Sequence, residues 1–254
     1  MLSSFAEGLS SLASLQALVF SVAVVFAAYV LRGATGFGAG VVAIPLLALI
    51  MPLTVVIPVI TTLGIVASLG QSVQEFRHVD WRALRGLALP SVVGLALGLW
   101  LFASLDQAFL VKAFAAFIIV YGFWGLLPRR PAWRLAPGAL AVAAGGSGGL
   151  VATLFGGMAG PFYAIYLRAL ALDKRRFRAS MSSVLLCLGL VRAAGYGSLG
   201  FFDRRAIAAL VLLAPVMVLA MFLGDRWHAH LDQAKFERVV AVLLAASGIA
   251  LLLK

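Results

Sequence analysis

The chain has 254 residues, 63% of them hydrophobic and 11% charged, with 20 Lys and Arg against nine Asp and Glu and a formal charge of +11. A soluble domain carries about 25% charged residues, and a mean hydropathy of +1.09 leaves too much apolar surface for a chain in water. A soluble enzyme, a disulfide scaffold, a disordered tail and a nucleic-acid binder are excluded, and an integral membrane protein is what remains.

Ten apolar segments follow in order. No Lys or Arg precedes Arg32, so the basic start of a secretory signal is missing and Leu12 to Leu31 reads as a first membrane helix. After a glycine-rich break come Val41 to Met51, Leu53 to about Gln74, Leu84 to Phe102 and Phe109 to Leu127. The run Pro128-Arg129-Arg130-Pro131-Ala132-Trp133-Arg134 is a boundary of prolines and charges. Beyond it lie Leu135 to about Leu154, Pro161 to Leu172, Phe177 to Leu199, Ala206 to Leu223 and Phe236 to Leu253. The single cysteine, Cys187, sits inside an apolar run and closes no disulfide within the chain.

The two halves resemble each other. Each opens with a long apolar segment meeting a glycine cluster, then a short segment, then a longer one containing Ser and Thr. Asp80 and Asp203 follow the third segments as expected helix N-caps. The sequence therefore predicts an all-α polytopic membrane protein of two inverted repeats with short or discontinuous helices. Residues 1–127 form the first repeat, 128–134 a cytoplasmic linker and 135–254 the second. Eight to ten membrane segments fit, and charge favours ten. With ten, every basic residue except Lys112, Arg192, Arg204, Arg205 and Lys254 falls on one side, fifteen of the 20, as the positive-inside rule requires. Five segments per half is an odd number, which inserts the second copy upside down.

Gly33 to Gly40 and Gly156 to Pro161 occupy matching positions. Glycine between a helix end and a short helix makes a discontinuous membrane element, and free amides at the start of the short helix point at an anion. Packing is the alternative for any single glycine, and Gly94-Leu95-Ala96-Leu97-Gly98 fits it. As a pair, the clusters are expected to form a transport site. The expected substrate-binding residues are Thr35, Gly36, Gly38 and Gly40 in the first cluster, Thr61 and Thr62 in the third segment, and Gly157 and Gly160 in the second cluster. Ser180, Ser182, Ser183 and Arg192 in the eighth segment complete the set. Hydroxyls donate hydrogen bonds to an oxyanion. A charge inside a membrane segment faces a cavity, unless, as is equally open here, it snorkels to the interface. Arg32 is ambiguous in the same way and weighted to the cytoplasmic interface. Glu75 is a weak candidate for proton coupling. His228 and His230 with Asp225 and Asp232 read as a solvated loop rather than a metal site. No catalytic triad or paired carboxylates, cofactor motif or nucleotide loop is present, so no enzyme activity and no cofactor are expected.

The segments Gly36-Phe37-Gly38-Ala39-Gly40 with Val41-Val42-Ala43-Ile44-Pro45, the degenerate copy Phe155-Gly156-Gly157-Met158-Ala159-Gly160-Pro161, and the Thr61-Thr62 and Ser180-to-Ser183 stretches resemble the TauE/SafE family of membrane permeases, the sulfite exporter family. The resemblance covers nearly the whole chain. It implies transport of sulfite, sulfonates, sulfoacetate or related sulfur or carboxylate anions across a bacterial inner membrane. The second copy departs from the pattern: Pro161 directly follows Gly160, whereas Pro45 lies five residues after Gly40, so the two sides of the site are expected to be unequal. The expected partners are a small anion, the lipid bilayer and protons as coupling ion, with a homo-oligomer compatible and no nucleic acid. An anion channel, the membrane subunit of a multicomponent permease, and a scaffold or biogenesis factor stand as alternatives.

Overall fold

In a computed structural model, residues 15–36, 38–126, 136–156, 158–226 and 233–253 are described. They contain ten α-helices and no strand, because backbone groups in hydrocarbon must bond within their own segment. The helices are α1 (Leu15–Thr35), α2 (Ala39–Ala48), α3 (Leu53–Glu75), α4 (Trp81–Ser104), α5 (Gln107–Leu126), α6 (Pro137–Phe155), α7 (Gly160–Ala169), α8 (Lys174–Ser198), α9 (Arg204–Arg226) and α10 (Gln233–Leu252), with a 3₁₀ turn at Phe76–His78. The protein is a polytopic all-helical membrane protein. Seven helices, α1, α3, α4, α5, α6, α8 and α9, are long and apolar enough to cross a bilayer. By contrast α2 and α7 have 10 residues each. At 1.5 Å per residue they reach about 15 Å, half of a hydrocarbon core of about 30 Å.

The scarce acidic residues set helix starts. Asp80 Oδ1 accepts from Ala83 N at 2.9 Å, Asp106 Oδ1 from Phe109 N at 2.6 Å and Asp203 Oδ1 from Ala206 N at 2.8 Å. Asp173 Oδ1 accepts from the amides of Arg175 and Arg176, both at 2.9 Å. These caps satisfy orphan donors. The Arg176 amide, above all, holds the exposed Asp173 carboxyl below its ordinary range.

The pairing of helices has a pattern. α4 packs on α6 and α1 on α9, while α5 packs on α10 and α3 on α8. Exchanging each helix with the one five places away turns the first pair into the second and leaves the other two unchanged. Small residues allow the close approaches. A methyl group at Gly94 or Gly98 would run into α6, and one at Gly149 would run into Ser91 and Leu95 of α4. This is the small-residue packing of membrane helices. The outer surface carries Leu89, Val93, Trp100, Phe123, Trp124, Val142 and Phe222, all large, apolar and exposed. Buried polar residues, including Ser68, Ser91, Ser180 and two arginines, lie inside.

Candidate functional site

The α1 helix stops because the chain turns left-handed: Gly36 has φ +86° and Gly38 has φ +99°, angles that cost a residue with a side chain roughly 1–2 kcal/mol. Gly38 is the N-cap of α2, and no side chain caps the amides that follow. A Cβ at Gly38 would meet nothing within 4 Å, so the angle, not crowding, demands glycine there, and the space in front of it is open. The second break is built alike. Gly156 has φ +61° and closes α6, donating its amide to the Ala152 carbonyl. α7 then starts at Gly160, also without a side-chain cap. Pro161 in its first turn has no N–H to offer.

Both short helices begin at one small cavity of about 30 Å³ that opens to solvent. Gly38 and Gly40 at the start of α2 and Gly160 at the start of α7 line it. Tyr29 and Arg32 of α1, Ile60, Thr61, Gly64 and Ser68 of α3, and Leu185 and Arg192 of α8 complete the wall. The lining residues fall at helical spacing: 29 and 32 on α1, 61, 64 and 68 on α3, 185 and 192 on α8. One face of each helix therefore looks into the site.

Two arginines dominate its chemistry. Arg32 is 6% exposed and Arg192 5%. Arg32 Nη2 donates to Gly64 O at 3.2 Å and to Ser68 Oγ. A Cβ at Gly64 would meet the Arg32 guanidinium at 3.4 Å, in ordinary contact. Arg192 Nη1 donates to Ala152 O, at the end of α6. The Nε of each arginine is buried with no hydrogen-bond partner, and so is Oγ1 of Thr61, 4% exposed. Among the described residues no carboxylate pairs with either arginine. A buried charge without a counter-charge is expensive, and a guanidinium offers five donors in a planar fork. Among the described residues, the cavity thus presents two positive charges with no paired carboxylate, idle donors and two helix starts without side-chain caps, an arrangement chemically able to accept an oxyanion.

Of the expected set, Gly38, Gly40, Thr61, Gly160 and Arg192 come together at this cavity. The other described residues of the set, Gly36, Thr62, Ser180, Ser182 and Ser183, do not line it. Thr62 turns its hydroxyl back to Pro58 O at 2.9 Å. Ser180 accepts from Asp80 N at 2.9 Å, tying α8 to the start of α4. Ser182 and Ser183 are buried on α8. Gly36 is buried, and a side chain there would touch Arg178. Thr35 and Glu75 end α1 and α3, with side chains outside the described residues, as are Gly157 and the 128–134, His228, His230 and Asp232 positions. Arg32, Ser68, Gly64 and Tyr29 are additions. The seven-residue repeat of Thr61 and Ser68, with Gly64 between them, is the signal in the sequence that marks the α3 face.

A family model described as "Sulfite exporter TauE/SafE" matches residues 21–251. The chain is 29% identical over 190 residues to a probable inner membrane transporter protein TsaS of Comamonas testosteroni, covering 74% of this chain and 79% of that one. It is 28% identical over 226 residues to a probable sulfite/organosulfonate exporter TauE of Cupriavidus necator, covering 86% and 87%. No solved structure matches.

Proposed function

Starting from a chain that belongs to the sulfite exporter TauE/SafE family, and is therefore a membrane transporter rather than an enzyme, we propose that it carries a small sulfur oxyanion or organosulfonate across the bacterial inner membrane by binding it between Arg32 and Arg192. The two similar proteins, one named as an inner membrane transporter and one as a sulfite/organosulfonate exporter, support the membrane and the substrate class. The single observation that carries the site is the pair of buried arginines, without a carboxylate partner among the described residues, that line one cavity at two helix starts. The anion supplies the missing counter-charge and accepts from both Nε atoms, from Thr61 Oγ1 and from the first amides of α2.

Residues 1–127 and 135–254 serve as the two inverted repeats. The exchange pattern of helix pairs supports this, since it is what a pseudo-two-fold relation between helices 1–5 and 6–10 produces. Transport proceeds by rocking one part against the other around the fixed site, with the half-length helices α2 and α7 carrying donors at mid-depth. Proton movement with the anion is the coupling that fits a carrier without a nucleotide site.

Flux by purified protein in proteoliposomes tests the reading. Saturable uptake of labelled sulfite or sulfoacetate, driven uphill by an imposed proton gradient, is the expected result. Unsaturable downhill flux would indicate a channel, uphill flux indifferent to the proton gradient would remove the coupling, and no flux from folded protein would remove the reading.

A further inference from the structure

The site contains more positive charge than a single-charged anion balances. Arg32 projects from α1 and Arg192 from α8, so the two arginines reach one cavity from helices in different halves of the chain. Among the described residues, the other ionisable groups beside them are Tyr29 on α1, Tyr163 on α7 and Tyr196 on α8, which add no charge at neutral pH. Asp225 pairs with Arg178 at 3.4 Å and is mostly exposed.

We infer that this cavity selects a doubly charged anion, one group or one short molecule bridging Arg32 and Arg192, over a singly charged anion of the same size. The inference rests on the proposed anion site and narrows what it takes. Two effects oppose each other. Dehydrating a dianion costs more than dehydrating a monoanion, and in front of a single cation that difference favours the monoanion. A second buried cation adds Coulomb attraction in proportion to the ligand charge and at short range in a low-dielectric wall. It also removes the repulsion between the two arginines more completely. Each arginine keeps a free Nε while its Nη is tied to protein, so the guanidiniums are held in place before the ligand arrives and little entropy is lost on binding. Among sulfur anions, this ranks sulfite dianion, sulfate, thiosulfate and sulfoacetate above alkanesulfonates and zwitterionic aminosulfonates.

Sulfate and methanesulfonate separate charge from shape: both are tetrahedral at sulfur, similar in size and fully ionised across neutral pH, with charges of two and one. Titration calorimetry on the purified full-length protein is expected to give sulfate at least about tenfold tighter binding than methanesulfonate. R32Q and R192Q are each expected to abolish or invert that preference, while R32K and R192K, which keep the charge and lose the fork, weaken both anions and retain it. Equal affinities in the wild-type protein, or tighter methanesulfonate, would overturn the inference while leaving an anion site in place. Binding of neither anion by folded protein would instead overturn the anion-site reading itself. The wild-type ratio decides even where a variant fails to fold.

Discussion

The two halves of the molecule pair their helices in an exchangeable pattern and differ in chemistry. In the first half the arginine stands on the first helix: Arg32 of α1 is braced by Ser68 and Gly64 of the third helix, α3. In the second half the arginine stands on the third helix: Arg192 of α8 is braced by Ala152 of the first, α6. Both links span the same pair of helix positions, with donor and acceptor exchanged. The helix starts differ too, since α2 begins without a proline and α7 carries Pro161 in its first turn. The lesson is that helices at corresponding places in the two halves meet at one cavity, while the side chains at those places divide the work. The first half brings a braced arginine, a free hydroxyl at Thr61 and an unbroken set of amides. The second brings an arginine resting on a helix C-terminus, whose carbonyls favour a cation.

Charge removal should break this comparison most strongly. R32Q and R192Q are each expected to lower kcat/KM by roughly 10- to 100-fold, the worth of about 1.5–3 kcal/mol in a charge-assisted contact, read from initial uptake rates. The same substitutions remove a buried charge with no carboxylate partner among the described residues, so in anion-free buffer neither should melt well below the wild type, and the wild type should gain more melting temperature than either variant on adding sulfate. A large loss of stability without anion would mean that the arginines are structural braces instead.

Gly38→Ala comes next. The left-handed angle imposes a cost of roughly 1–2 kcal/mol, and the new methyl enters the open side of the cavity, so both melting temperature and affinity should fall. Gly160→Ala at the matching start needs no left-handed angle and should cost less stability. Equal losses at the two would say that the breaks are equivalent.

Ser68→Ala tests the brace in the first half. Losing one charge-assisted bond leaves Arg32 less fixed, and a several-fold rise in KM with little change in kcat is expected, roughly 1 kcal/mol. The smallest effects separate neighbours. Thr61→Val should raise KM a few-fold, whereas Thr62→Val, which removes a bond to its own helix, should leave transport unchanged. Ser180→Ala should cost about 1 kcal/mol of stability through the lost Asp80 contact and leave anion binding alone. A transport defect in Thr62→Val equal to that in Thr61→Val would contradict the assigned α3 face.

Most of the architecture was legible because lipid imposes simple demands. Apolar length located ten helices, and paired glycine clusters located two breaks. The edges slipped where first turns are charged: α4 starts at Trp81 rather than Leu84 and α8 at Lys174 rather than Phe177, because Asp80 and Asp173 cap polar turns that hydropathy does not count. The site was legible in part. Arg32 reads as an interfacial residue because it lies three residues from a helix end, and a helix end ordinarily marks the membrane surface. Here α1 ends against α2 in the protein interior, so proximity to the end buries the charge. Thr61 and Thr62 are indistinguishable by type, and a rotation of about 100° between successive helical residues decides which one faces the cavity. Ser180 looked like a ligand donor because its amide partner at Asp80 lies one hundred residues away in sequence.

The most direct test of the account is an experimental structure with selenate bound, located by its anomalous signal. The account predicts one selenate in the cavity at the starts of α2 and α7, with oxygens about 2.8 Å from Nε of both Arg32 and Arg192. Selenate bound elsewhere at saturation, with both Nε atoms still unpaired, would contradict it.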